Sequence, residues 1–90
     1  MGAQNTTTID FGTGKHDVTI QVSAAGIQAG NLVEAWVFPI PTASNTDTNH
    51  IVENLKVIAH TVQDGVGFSI TALCTQGMAH GVYTIGYVYN

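Results

Sequence analysis

The sequence predicts an all-β protein, a small antiparallel β-sandwich of about six to seven strands that forms one domain over residues 1–90. Turn signals rich in Gly, Asn and Asp recur at short and regular spacing, as they do in β-sandwiches and barrels. β-Branched and aromatic residues dominate the segments between the turns, and these residues favour strands. No long segment has the hydrophobic period of an amphipathic helix, so helices are not expected to compete for the core.

Three strands are expected in the first half of the chain, each bounded by glycine or proline. The first is Thr7–Phe11, and residues 1–6 before it are predicted to form a polar N-terminal arm that packs on a neighbouring subunit. The second, Asp17–Ser23, alternates apolar and polar residues without interruption. The third, Leu32–Phe38, is apolar on both faces except at Glu34, a pattern typical of a central or interface strand.

The second half of the chain begins after two prolines that end the third strand. Residues 42–49 are polar and turn-rich, and residues 50–55 are predicted either as a short helical turn or as the lead into the next strand. Leu55–Val62 and Phe68–Leu73 alternate apolar and polar residues on either side of an Asp-Gly turn, which favours a hairpin. Val82–Tyr89 is predicted to be the closing strand.

The chain contains few charged residues. It has two Lys or Arg and six Asp or Glu, which gives a net charge of −4 with histidine neutral. Charged residues make up 9% of the chain, whereas roughly 25% is usual in soluble domains. The scarcity of basic residues argues against a nucleic-acid interface and against binding to anionic lipid. So few ionic groups predict an exterior that is covered by copies of the same chain or by other proteins.

Four aromatic residues are the candidate interface residues. Trp36 lies in the middle of the apolar third strand, and Tyr83, Tyr87 and Tyr89 share one face of the closing strand. Tyrosine and tryptophan supply large, rigid and amphipathic contact area, which favours a role in protein–protein packing. A core position for Trp36 and a sugar-binding platform built from these rings are the alternatives.

No catalytic residue, metal site or cofactor is predicted. Asp47, His50 and Glu53 are spaced so that one helical turn would bring two of them together, but a structural metal site needs four close ligands. Cys74 follows a strand of apolar residues and is expected to be a buried hydrophobic side chain rather than a nucleophile. The protein is therefore not expected to be an enzyme.

Four segments resemble small virion proteins of tailed bacteriophages, most of which are uncharacterised. They are Leu32–Val37, Thr46–His50, Asp64–Ile70 and Gly81–Asn90, which occur in the same order as in that family. These motifs shape the fold, and no catalytic residue is implied by them. The resemblance implies a structural subunit on the capsid surface or in the tail.

The leading functional hypothesis is a capsid decoration or cement subunit of a bacteriophage virion, which acts by multivalent protein–protein packing. Its expected partners are copies of itself, with a trimer favoured, and other virion proteins such as the major capsid protein. A tail or fibre-associated subunit and a receptor- or carbohydrate-binding module are the alternatives. No nucleic-acid or membrane partner is expected.

Overall fold

The computed structural model describes residues 3–53, 55–75 and 77–89. These residues form three strands, then one helix, then three further strands. The strands are β1 Ala3–Asp10, β2 Asp17–Ser23, β3 Val33–Val37, β4 Lys56–Gln63, β5 Gly67–Leu73 and β6 Val82–Tyr89, and the helix is α1 Asp47–Glu53. No helix in this part of the chain is long and apolar enough to cross a membrane.

The strands form two three-stranded antiparallel sheets that enclose one core, which confirms the predicted β-sandwich. The first sheet has the order β1-β6-β3, and the second has the order β2-β5-β4. Only β4 and β5 are neighbours both along the chain and within a sheet. The other pairings join segments that are far apart in sequence, so the fold depends on long-range contacts.

The core lies between the sheets and is built from alternate residues of each strand. In β2, the side chains of Val18, Ile20 and Val22 pack inward while the polar residues between them face solvent. Phe11 and Tyr83 meet edge to face with their ring centroids 5.7 Å apart, an arrangement that aromatic pairs prefer. The largest fully buried hydrophobic side chains are those of Tyr83, Phe11, Phe68, Ile9, Ile27, Ile70 and Ile85.

The N-terminal segment belongs to the first sheet and is not an arm, which corrects the sequence prediction. Residues 3–6 pair with residues 86–89 in the antiparallel ladder between β1 and β6. A ladder needs only backbone N–H and C=O groups, so the polar side chains of this segment do not prevent pairing. Because Ala3 is opposite Tyr89, one ladder holds both ends of the described chain. Residues 1–2 lie outside the described residues.

Helix α1 begins at Asp47, inside the segment that the sequence predicts as turn-rich. Thr46 provides the N-cap, since its Oγ1 accepts the Asn49 N–H at 3.1 Å. The Thr46 carbonyl accepts the His50 N–H at 3.2 Å and so closes the first turn. The short helical turn that was expected for residues 50–55 therefore starts earlier, because its cap lies before Asp47.

A β-bulge interrupts β4 after His60. The register with β5 shifts between His60 and Gln63, and Thr61 takes a left-handed φ of 56°, which is unfavourable for a β-branched residue. A bulge adds one residue to a strand and changes which side chains face inward. Val62 consequently packs against the core, as Val57 does before the bulge.

Candidate functional site

An open groove runs between β3 and β4, which are edge strands of different sheets. Their Cα atoms approach within 8 Å, but the two strands form no hydrogen-bonded ladder. The groove has a first lobe of about 430 Å³ and a second lobe of about 390 Å³. Both lobes are lined by Ala35, Trp36 and Val57; the first adds Val37, Pro39, His50, Ile51 and Leu55, and the second adds Val33, Glu34, Ile58 and Ala59.

The groove side of β3 carries backbone groups that β6 does not pair. The Phe38 N–H donates to the Thr84 carbonyl at 3.0 Å, so the backbone of Phe38 is directed toward β6. The N–H and C=O groups of successive strand residues alternate in direction. The even-numbered residues of β3 therefore also face β6, while Val33, Ala35 and Val37 turn their backbone groups toward the groove. Edge groups of this kind are a template for the addition of another strand.

Trp36 is among the residues that line both lobes, and its indole packs over Gly86 of β6. This contact lies on the outer face of the first sheet, since Ala35 and Val37 on either side of Trp36 face the core. Trp36 and Gly86 are opposite each other in the β3–β6 register. A Cβ atom on Gly86 would lie 2.5 Å from the indole Nε1 and 2.7 Å from Cε2, well inside the distance at which non-bonded atoms attract. The absence of a side chain at Gly86 thus makes the space that the half-buried indole occupies.

His50 of α1 closes one end of the groove, and backbone groups contact both of its ring nitrogens. Its Nδ1 lies 2.7 Å from the Thr46 carbonyl oxygen, and its Nε2 accepts the Thr84 N–H at 2.9 Å. Because an amide can only donate, we assign the proton of the neutral ring to Nδ1, which donates to Thr46. The ring is 1% exposed and meets Tyr83 edge on. His50 therefore pairs with the β6 backbone just beyond the end of β3.

The segment between β3 and α1 is fastened to β6 by polar side chains. Asn45 Nδ2 and Thr42 Oγ1 both donate to the Val82 carbonyl, at 2.9 and 2.8 Å. Thr84 Oγ1 donates to the Ile40 carbonyl at 2.9 Å. Among the described residues, buried side-chain nitrogen and oxygen atoms all have hydrogen-bond partners. These bonds hold the segment and α1 against the sheet, where they form a wall of the groove.

The rim of the groove is apolar and exposed. Ile51 is 67% exposed and Ile58 is 48% exposed, and Leu32, directly before β3, is 75% exposed. Among the described residues that line the groove, only Glu34 carries a charge. Large exposed apolar side chains that are grouped in this way mark interaction surfaces.

The four candidate interface residues fall into two groups. Tyr83 and Tyr87 are 1% and 8% exposed and belong to the core, and Tyr87 packs edge on against Phe68. The tyrosines share one face of β6, as the sequence predicts, but that face is the inner one. In the single chain Tyr83 and Tyr87 are thus core residues and not part of an outer contact surface. Trp36 and Tyr89 are half-buried, and their interface role stays a prediction.

The residues that were considered for chemistry do not converge. Cys74 is buried in the core, and both ring nitrogens of His50 are engaged by backbone groups. Asp47 is exposed and accepts the Thr48 N–H, and the Glu53 side chain lies outside the described part of the structure. Across the described ranges, no group of three or more His, Cys, Asp and Glu side chains is placed to hold a metal ion.

Sequence reasoning missed a polar cluster on the outer face of the second sheet. His60 Nε2 lies 2.7 Å from Thr71 Oγ1, and His60 Nδ1 lies 2.7 Å from Thr61 Oγ1. Thr71 Oγ1 is in turn 2.8 Å from Thr19 Oγ1. The cluster links all three strands of this sheet across their outer face. The pairing register brings these residues together, and the sequence alone carries no signal for that register.

Comparison with protein-family models, with curated proteins and with solved structures finds no match to this chain. The groove is therefore interpreted from its own residues, which combine an apolar lining, outward-facing strand backbone and the Glu34 carboxylate. Such a surface has the chemistry to bind an apolar protein segment. Among the described residues that line it, no nucleophile and base are paired as hydrolytic chemistry requires.

Proposed function

We propose that the protein is a non-enzymatic structural subunit of a bacteriophage virion, a capsid decoration subunit that binds through repeated protein–protein contacts. The observation that carries the proposal is the exposed apolar side chains of Ile51 and Ile58 at the groove and of Leu32 directly before β3. A small protein that stays alone in water usually presents charged side chains on its surface. Covering this rim with a neighbour would remove apolar area from water, at about 25 cal/mol per Å².

The assignment to a virion is supported by the resemblance of four segments of the chain to small virion proteins. A capsid or tail presents many copies of one site in fixed geometry, so weak individual contacts add up to strong attachment. The low charged fraction of 9% also suits contacts in which area, not charge steering, supplies the affinity. Association with copies of itself and with the major capsid protein belongs to the same proposal.

The test is the thermal stability of purified capsids with and without the protein. Decoration predicts saturable binding and a higher capsid melting temperature, because a ligand of the assembled state stabilises that state. The double variant L32K/I58K should bind less, whereas V66K should bind normally, since Val66 is 56% exposed but lies in the β4–β5 turn. Capsids that neither bind the native protein nor change their melting temperature would contradict decoration. Binding to tails alone would favour the tail-associated alternative.

A receptor- or carbohydrate-binding module is the second candidate, and Trp36 is the residue that favours it. Its indole is half-buried and packs over Gly86 on the outer face of the first sheet, where the face of a sugar could stack. The tyrosines expected to complete an aromatic platform are less suitable, because Tyr83 and Tyr87 are buried. A glycan titration monitored by tryptophan fluorescence separates the two candidates: saturable quenching favours the binding module, and an unchanged spectrum favours the structural subunit.

A further inference from the structure

We infer that β3 pairs with β3 of a second copy, antiparallel and across a two-fold axis, so that the first sheets of two chains become one continuous sheet. The inference rests on the proposed function, because it names the contact by which copies of an assembly subunit meet. Its starting point is the backbone of Val33, Ala35 and Val37, whose N–H and C=O groups face away from β6. An added strand satisfies these groups.

The sequence of β3 selects one register for this pair. Because only odd-numbered residues direct their backbone outward, odd-numbered residues of the two copies must face each other. Centring the axis on Ala35 matches Val33 with Val37 of the second copy and uses every outward group of the strand. It also places Glu34 opposite Trp36 of the second copy. Centring the axis on residue 34 instead would set the two Glu34 carboxylates directly opposite each other, and such like-charge pairs are destabilising.

The same register gives a neighbour to Leu32, the most exposed large apolar side chain among the described residues. Leu32 lies opposite Phe38 of the second copy, and the two-fold axis repeats this contact on its other side. Leu32 is 75% exposed and Phe38 is half-buried in the single chain, so the contact buries apolar surface that is otherwise in water. Cross-strand apolar pairs of this kind stabilise sheets.

The edge of β3 lacks two of the residues that commonly protect edge strands. Proteins commonly prevent unwanted pairing with lysine or proline within an exposed edge strand. Neither residue occurs in Val33–Val37, and the prolines Pro39 and Pro41 come only after the strand has ended. An edge strand without lysine or proline, next to exposed apolar side chains, is expected where pairing is part of the assembly.

The charges of the groove favour a second copy over a charged partner. A basic or acidic segment would need several opposite charges, but among the described lining residues only Glu34 is charged. A short, largely apolar strand fits this edge, and β3 is itself such a strand. Stable interfaces bury roughly 800 Å² per partner. Two paired strands of five residues form only a small interface. We therefore expect a dimer that dissociates on dilution.

Two variants test the pairing by sedimentation velocity over a range of concentrations. L32K replaces the apolar partner of Phe38, and A35P removes the outward N–H at the axis while leaving the β6 ladder its own donors. Each is expected to weaken dimerisation at least tenfold, and V66K should dimerise like the native protein. Thermal unfolding of each variant at low concentration shows that it is folded.

Amide hydrogen exchange distinguishes loss of the dimer from loss of folding. The amides of Val33, Ala35 and Val37 should be protected in concentrated protein and exchange faster on dilution. Those of Glu34 and Trp36 should stay protected at both concentrations, because they face β6. A dimer that persists in both L32K and A35P, or exchange at the odd-numbered amides that does not depend on concentration, would overturn the inference. A trimer, or a monomer at every concentration, would also overturn the inference, whereas the proposed function is contradicted only if capsids do not bind the protein.

Discussion

At the scale of single residues, Gly86 determines where the indole of Trp36 can lie. The Trp36 indole occupies the space that a Cβ atom at this position would need. This glycine is required for close approach and not for an unusual backbone conformation, since it is absent from the positive-φ residues. The placement of the indole therefore depends on a pair of residues that are 50 positions apart and opposite each other in the ladder.

The substitution G86A should destabilise the protein by about 1–3 kcal/mol, the usual cost of overpacking. The added methyl group displaces the indole, so the fluorescence of the only tryptophan should also change. G26A is the matched control, because a Cβ atom there meets nothing within 4 Å. Urea unfolding measures both effects, and equal stability of G86A and G26A would contradict the assigned contact.

His50 provides a second residue-scale prediction. H50F keeps an aromatic ring but removes the acceptor for the Thr84 N–H and the donor to the Thr46 carbonyl. Leaving a buried donor unsatisfied costs about 1–3 kcal/mol, so H50F should lower the free energy of unfolding by that amount. H50Q should recover part of the loss, since its amide oxygen can accept from Thr84. H16F, at an exposed histidine, should change stability little, and an H50F protein as stable as H16F would argue against the role of His50.

At the scale of secondary-structure elements, the bulge in β4 contains a strained residue. Thr61 has a φ of 56°, and a left-handed conformation costs an L-residue with a Cβ atom roughly 1–2 kcal/mol. T61G should therefore be more stable than T61A by about 1 kcal/mol in chemical denaturation. Both variants lose the hydroxyl that contacts His60, so their difference isolates the effect of the Cβ atom. Equal stability of the two would mean that the bulge is not strained.

Strands in which apolar and polar residues alternate without interruption could be predicted from the sequence. Element boundaries that depend on backbone pairing or on a helix cap could not. Asp17–Ser23 and Val82–Tyr89 have the same bounds in the sequence prediction and in the structure. The start of β1 was missed because residues 3–6 pair through their backbone and have no apolar alternation. Helix α1 was placed too late because its start depends on the cap at Thr46 and not on hydrophobic periodicity.

The groove could be predicted only in part, because it depends on which strands become neighbours. The apolar character of both faces of β3 pointed to an interface strand, and its backbone does face an open groove. That β4 lies across the groove follows from the order of strands in two sheets, which a sequence does not state. The sequence prediction also missed that the β6 tyrosines face the core. An apolar strand face has the same sequence pattern whether it packs against the other sheet or against a partner.

At the scale of the whole molecule, the low charge and the exposed groove lead to one interpretation, a chain whose surface is completed by neighbours. Two copies at net charge −4 repel each other at long range, and salt screens this repulsion over about 10 Å at 0.1 M. The dimer should therefore become more stable as the salt concentration rises from about 20 to about 300 mM, because the screening length shortens over this range. Sedimentation at fixed protein concentration measures it, and weaker association at high salt would point to an ionic contact instead.

The most direct test of the account is the mass of the native protein in solution, measured by light scattering across a dilution series. Pairing through β3 predicts a mass that approaches twice the chain mass of 9.5 kDa in concentrated samples and falls toward 9.5 kDa on dilution. A constant 9.5 kDa at every concentration would show that the edge and its apolar rim remain in water, and would contradict the account.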